Sequence, residues 1–241
     1  MRTKRPVTTV GIIHSEEEAR DFLDRCGEDV IAQEYIGGVE YGVFYYRRPE
    51  EFGGHLLSIT HKRLPTITAD GKSTLEELIL SDERALTMAR FFLGRFEDRL
   101  AEIPPAGEVI KLTELGTHCR GSVFEDANHL KTEALRRTMD EISRPFEGFH
   151  FGRYDLRVPD AEHLQQGLGI KILELNGVSS ESGHIYHPGN RLWKGYRDLM
   201  HQWKIAFEIG ASNRAKGHRP LEWGELRDLI RQHGNRDPFE A

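Results

Sequence analysis

Two short stretches concentrate side chains able to hold a cation and a phosphate. Phe151-Gly152-Arg153-Tyr154-Asp155-Leu156-Arg157 is followed by Ile172-Leu173-Glu174-Leu175-Asn176-Gly177. Residues two apart on a strand share a face. Glu174 and Asn176 therefore point one way, and so do Arg153, Asp155 and Arg157. If the two strands pair as a hairpin, Asp155, Glu174 and Asn176 converge. Two carboxylates and an amide oxygen form a hard-oxygen donor set suited to Mg2+ or Mn2+. Mg2+ held in this way keeps waters and binds substrate phosphates. The neighbouring arginines would neutralise charge on a moving phosphoryl group. Such chemistry depends on positioning and charge, and the chain carries no G-x-S-x-G nucleophile motif.

The elements that must position these residues are readable in outline. Ser15-Glu16-Glu17-Glu18 is a capping box that opens a helix ending near Gly27. Val30–Ile36 reads as a strand, Gly37-Gly38 as a two-residue hairpin turn, and Val39–Tyr46 as the return strand. A third strand is expected over His55–His61. A turn at Ala69–Lys72 precedes a helix opened by Ser73-Thr74, with Glu76 and Glu77 placed for capping. Helical spacing continues over Asp82–Leu100, a strand is expected near Val109–Leu112, and a helix over Thr132–Phe146. Phe149–Val158 and Leu168–Leu175 read as strands joined by a polar loop. Leu192, Tyr196, Leu199, Trp203 and Phe207 make an apolar stripe on a long helix, which reads as core or as an interface. A short C-terminal helix starts at Leu221. Hairpins without a regular βαβ rhythm favour an α+β fold.

Composition narrows the classes further. The 241 residues carry 33 Lys and Arg against 39 Asp and Glu, a net charge of −6, which argues against a nucleic-acid partner. No apolar run is long enough for a membrane span, and the basic start lacks the apolar core of a secretory signal. Two cysteines, Cys26 and Cys119, make neither a disulfide framework nor a CxxC metal knot. The expected setting is the reducing cytoplasm.

Arg153-x-Asp155 followed by Glu174-Leu175-Asn176 resembles the metal end of an ATP-grasp ligase, of the carboxylate–amine or D-alanine–D-alanine ligase kind. Gln33-Glu34-Tyr35-Ile36-Gly37-Gly38-Val39-Glu40 resembles the hinge between the two ATP-grasp subdomains. Asp70-Gly71-Lys72-Ser73-Thr74-Leu75-Glu76-Glu77-Leu78-Ile79 resembles a segment of amino-acid and peptide ligases of that superfamily. The resemblance spans roughly Val10–Pro188. It implies that Gln33, Glu34, Tyr35 and Ile36 hold adenine and that Glu40 accepts from the ribose hydroxyls. It further implies that Asp155, Glu174 and Asn176 bind one or two Mg2+ on ATP. Arg153 would steady the transferred phosphoryl group, with Lys62 and Arg120 as further contacts to phosphate or substrate. The implied reaction joins a small-molecule carboxylate to an amine through an acylphosphate. Ser179–Gly183, after the metal strand, would be a substrate loop.

The sequence departs from the family at its front. The family places a lysine and a glycine-rich loop over the phosphates, behind a further N-terminal domain. Here Val7–Ile13 stands where the strand after that loop belongs, Met1–Pro6 has no glycine, and Lys4 is a poor substitute. The resemblance thus implies an ATP-grasp fold of antiparallel sheets and packed helices with an incomplete N-terminal subdomain. Residues 1–36 would be its remnant, 37–190 the C-terminal subdomain with the metal site, and 191–241 a helical extension. A truncated frame, a piece completed by a partner chain and a degenerate copy all fit. A partner supplying the front end, or a second copy of the chain, is the expected associate. Two other functions compete. One is a non-catalytic nucleotide-binding or interaction module. The other is a metal-dependent hydrolase using Glu181, His184 and His187, the two histidines being three apart.

Overall fold

Strand β1 (Val39–Tyr46) alternates Tyr41, Val43 and Tyr45 with Glu40, Gly42 and Phe44, and this period of two gives the molecule its two faces. In the computed structural model, which describes residues 11–26, 29–113 and 121–234, β1 is the middle strand of a five-stranded sheet. Its order is β5-β2-β1-β6-β7, with β2 at His55–Arg63, β5 at Val123–Asp126, β6 at Phe151–Val158 and β7 at Lys171–Asn176. Every pairing in it is antiparallel. With helices packed on the sheet, the fold is α+β.

One sheet face is apolar. Tyr41, Val43, Tyr45, Ile59, Tyr154, Leu156 and Val158 pack with Leu135 and Met139 of α5 (Glu133–Ser143) and Leu164 of α6 (Ala161–Gln166). Each fully buried side chain of this size contributes about 1.5–3 kcal/mol. The opposite face carries Glu40, Ser58, Thr60, Lys62, Arg153, Asp155 and Arg157, and at its end Phe44 and Phe151. That end is covered by Ile205 and Ile209 of α7 (Leu192–Ala215).

A second core lies under a two-stranded sheet of β3 (Thr66–Thr68) and β4 (Val109–Lys111). Ile67, Leu75, Ile79, Phe92, Ile110 and Leu112 fill it, with α2 (Leu75–Ser81), α3 (Glu83–Leu86) and α4 (Ala89–Arg95). The Asp70–Ile79 segment does structural work here. Backbone N–H groups of Ser73 and Lys72 donate to Asp70 and hold its carboxyl at about 2. Thr74 and Glu77 form a reciprocal capping box on α2.

Several expected elements differ. Residues 30–36 form no strand, because both edges of β1 are taken by β2 and β6, and the Gly37-Gly38 hairpin therefore does not form. Gly38 instead bends the chain just before β1 at φ +100°, where a Cβ would strike the Val158 carbonyl. The helix expected over 82–100 is broken into α3, α4 and a 3-10 turn at Glu97–Arg99, with Asp82 capping α3. The loop between β6 and β7 holds α6, capped by Asp160 and ended by Gly167. The hairpin of β6 with β7 forms as expected.

The chain divides into two units, Gly37–Lys216 and a second made of Met1–Ile36 with Gly217–Ala241. The second unit contains α1 (Glu16–Cys26), whose Ser15 hydroxyl accepts from Glu18 N–H, and α8 (Trp223–Gly234). None of the described helices is long and apolar enough to cross a membrane.

Asp140 ties α5 to the sheet. Its carboxylate accepts from Tyr45 Oη at 2.7 Å and from Gly54 N at 2.8 Å, and pairs with Arg144 at 2.8 Å. Burial pushes this carboxyl up, but the Tyr45, Gly54 and Arg144 contacts outweigh it, so its pKa lies below the ordinary value. A lowered carboxylate pKa contributes stability that is complete above the unfolded value and is lost as pH falls through the folded one. Asp140→Asn is expected to cost about 1–2 kcal/mol near neutrality. In urea unfolding at stepped pH, the gap between wild type and variant should close below about pH 4, near the unfolded carboxyl value. A gap that stays constant to lower pH would contradict this account.

Candidate functional site

Three adjacent strands bring five charged side chains together on the polar sheet face. Glu40 faces Arg157 across the β1–β6 ladder, and Gly42 faces both Thr60 and Asp155. Lys62 Nζ sits 3.0 Å from Glu40 Oε1 and 3.0 Å from Asp155 Oδ2. Arg157 Nη2 reaches Glu40 Oε2 at 3.0 Å. Arg153 Nε and Nη2 hold the two oxygens of Asp155 at 2.9 and 3.2 Å. Glu40, Lys62, Asp155 and Arg157 are buried. Gly42 makes room for this network, because a Cβ there would press within 3.3 Å of both Asp155 Oδ1 and Arg153 Cδ.

Strand β7 adds the remaining candidates. Asp155 is the cross-strand partner of Glu174, and Arg153 of Asn176. Partners opposite each other in an antiparallel pair share a face, so these four residues lie on one side of the sheet. Asn176 Nδ2 lies 3.2 Å from Asp155 Oδ2. Glu174 is exposed and has no hydrogen bond or ion pair among the described residues. The donor set fits a hard divalent cation in type, since all three side chains carry oxygen, while Asn176 turns its amide nitrogen to Asp155. Both oxygens of Asp155 are engaged by protein cations, so Glu174 is the carboxylate most available to a metal. Among the described residues, no group of three or more His, Cys, Asp or Glu is arranged to hold a metal ion.

The loop after β7 closes over this face. Arg153 Nη1 donates to the Glu181 carbonyl at 2.8 Å. On either side of Glu181, buried Gln202 of α7 accepts from Ser182 N and donates to the Ser180 carbonyl, both at 2.9 Å. The loop packs against Thr60 of β2, which a Cβ on Gly183 would approach within 3.1 Å. Among the described residues, Ser58 Oγ, Thr60 Oγ1, Ser182 Oγ, His184 Nδ1 and His187 Nδ1 are buried without a hydrogen-bond partner. His184 Nε2 lies 3.3 Å from Asp198 Oδ2, and Lys194 bridges Asp126 and Asp198 at 3.0 and 3.4 Å. Burial lowers the His184 pKa below the ordinary histidine value, against the pull of Asp126 and Asp198. Glu181 turns its carboxylate to Tyr186 Oη at 2.5 Å.

Of the expected site residues, the structure gathers Glu40, Lys62, Arg153, Asp155, Glu174 and Asn176 on one face. Gln33, Glu34 and Tyr35 are exposed and Ile36 is half-buried, in the unit that ends at Ile36. Arg120 lies outside the described residues, as do Lys4 and most of the expected strand at Val7–Ile13. Gln202 escaped the sequence reading, because one amide on a helix gives no sign of the loop it anchors. The hydroxyls of Ser58 and Thr60 carried a signal, two polar residues at strand period in line with Lys62.

No protein-family model matches this chain, and no curated protein matches it. Among solved structures it is similar to a bifunctional glutathione synthetase from Pasteurella multocida, at 16% identity and a TM-score of 0.45. The match covers 71% of this chain and 24% of that one, so the chain spans about a quarter of that protein's length.

Breaking a buried charge cluster by removing one partner typically costs about 3–5 kcal/mol. Lys62→Met, which strips the shared cation from Glu40 and Asp155, is expected to lose about 3 kcal/mol in chemical unfolding. Arg219→Ala, at an exposed ion pair on Glu222 and Glu225, should lose no more than about 1 kcal/mol. Equal losses would show that the buried cluster is not under electrostatic constraint.

Proposed function

We propose that this chain is the C-terminal catalytic part of an ATP- and Mg2+-dependent ligase that joins a carboxylate to an amine. What supports the reading is the convergence on one sheet face of Lys62, Arg153, Asp155, Glu174 and Asn176, the residues that the ATP-grasp resemblance implies for phosphate and metal. In this reading residues 1–36 are the remnant of the first subdomain, and Gln33–Ile36 pack adenine.

The substrate carboxylate attacks the γ-phosphorus of ATP, ADP leaves, and an acylphosphate forms. The amine nitrogen then attacks the acyl carbon, phosphate leaves with the C–O bond electrons, and the amine proton passes to solvent. Lys62 and Arg153 hold phosphoryl oxygens and offset their charge. Arg157 holds Glu40 aligned beside Lys62. Asp155, Glu174 and Asn176 would hold Mg2+, which when bound neutralises phosphate charge and favours the in-line geometry. The Ser180–Ser182 loop, pinned by Gln202, would border the acceptor substrate. No side chain needs to form a covalent bond, since orientation and charge neutralisation carry the rate.

A non-catalytic nucleotide-binding module is the second reading. It is favoured by the ion pairs that engage every oxygen of Glu40 and Asp155.

Calorimetric titration with a non-hydrolysable ATP analogue, with and without Mg2+, tests both. Mg2+-dependent binding that weakens at least about 10-fold in Glu174→Ala is the expected result. Binding indifferent to Mg2+ and to Glu174 would favour the module, and no binding under either condition would remove nucleotide recognition by this chain alone.

A further inference from the structure

Helix α7 is apolar on two sides, and within its own unit only one of them packs among the described residues. On the inner side Ile205 and Ile209 pack on Phe44 and Phe151, and Gln202 anchors the loop over the charged face. On the outer side Trp193, Tyr196, Met200, Trp203 and Phe207 follow one another at spacings of three, four, three and four residues. This is the a/d spacing of a coiled-coil seam, which presents one apolar stripe to a facing helix. Together with Leu192, these side chains are between 37% and 80% exposed. A helix apolar all round belongs in an interior, and a contiguous exposed patch of this kind marks an interaction surface.

We propose that this stripe is a two-fold interface between two copies of the chain, α7 lying antiparallel on its counterpart with Met200 at the axis. The side-chain order is close to symmetric about Met200. Trp193 and Phe207 each lie seven residues away, Tyr196 four before and Trp203 three after. A two-fold axis there sets the indole of one copy against the phenyl ring of the other, and the phenol against the second indole. A self-complementary patch of this kind is what an isologous dimer requires. Taking about 200 Å2 for each large side chain, the exposed part of the stripe amounts to roughly 800 Å2 per copy, the area each partner contributes to a standard stable interface. The cations on the stripe's flank do not oppose the pairing. Arg197 is neutralised by Asp198 at 3.1 Å, and Lys204 faces Glu208 at 3.9 Å.

Sedimentation velocity of the full chain should give twice its 27.7 kDa mass at micromolar concentrations. Met200→Lys sets two ammonium groups together on the axis and should raise the dimer dissociation constant at least about 30-fold, the effect of a central hot spot. Its far-UV circular dichroism should stay unchanged. In a Cys26→Ser, Cys119→Ser background, Met200→Cys should form an interchain disulfide on mild oxidation. A wild-type chain that is folded and monomeric overturns the proposal, and would mean that the stripe serves another segment or a different protein. A dimer that survives Met200→Lys and does not cross-link through Met200→Cys overturns it as well, by placing the contact elsewhere. If Met200→Lys fails to fold, the cysteine cross-link alone decides.

Discussion

The polar sheet face is organised by the need to keep five charges alive in a place poor in water. Lys62 sits between Glu40 and Asp155, Arg157 takes the second oxygen of Glu40, and Arg153 grips Asp155 with two nitrogens. Outside this company each buried ion would be costly, since desolvation charges several kcal/mol per ion. The network needs three strands side by side, because the partners of Lys62 lie on two other strands, Glu40 on β1 and Asp155 on β6. It also needs a position without a side chain in the middle, which Gly42 provides.

The same constraint fixes register. Glu40, Gly42, Arg153, Asp155 and Arg157 alternate along their strands with Tyr41, Val43, Tyr154, Leu156 and Val158, which are buried on the other face. A slip of one residue between β1 and β6 would drive charges into the apolar core and turn tyrosine and leucine onto the charged face. The hydrophobic core under α5 and the charged network therefore specify the same pairing from opposite sides of one sheet. In the β6–β7 ladder the register shifts after Asp155, so that Ile172 opposes Leu156, while Glu174 and Asn176 keep regular pairing with Asp155 and Arg153.

Much of this was legible in strand periodicity. The alternations at Arg153–Arg157 and Glu174–Asn176 located two strands, and their pairing followed from proximity in the chain. The capping boxes at Ser15–Glu18 and Thr74–Glu77 located two helix starts. Strand order was not legible, because the contact of Lys62 with Asp155 joins strands whose sequences say nothing about which neighbours they choose. The residues before Gly37 misled for a related reason. Val30–Ile36 has strand composition, but β1 has no edge left to offer it. Nor does helical periodicity say which of two apolar stripes on α7 faces inward. The aromatic stripe is the more conspicuous in sequence, yet the smaller set of Gln202, Ile205 and Ile209 fits the sheet.

Helix α7 thus links two surfaces through one rigid rod. Met200, at the centre of the exposed stripe, is two residues from Gln202, whose amide fixes both Ser180 and Ser182. Between those two serines the Glu181 carbonyl accepts from Arg153, the residue that holds Asp155. An α-helix has little freedom to move one face without the other. A partner seated on the outer stripe would immobilise the helix, and with it the loop and the orientation of Arg153. The charged cluster gains the most from such support, because ion pairs lose their worth quickly when their geometry loosens and water enters.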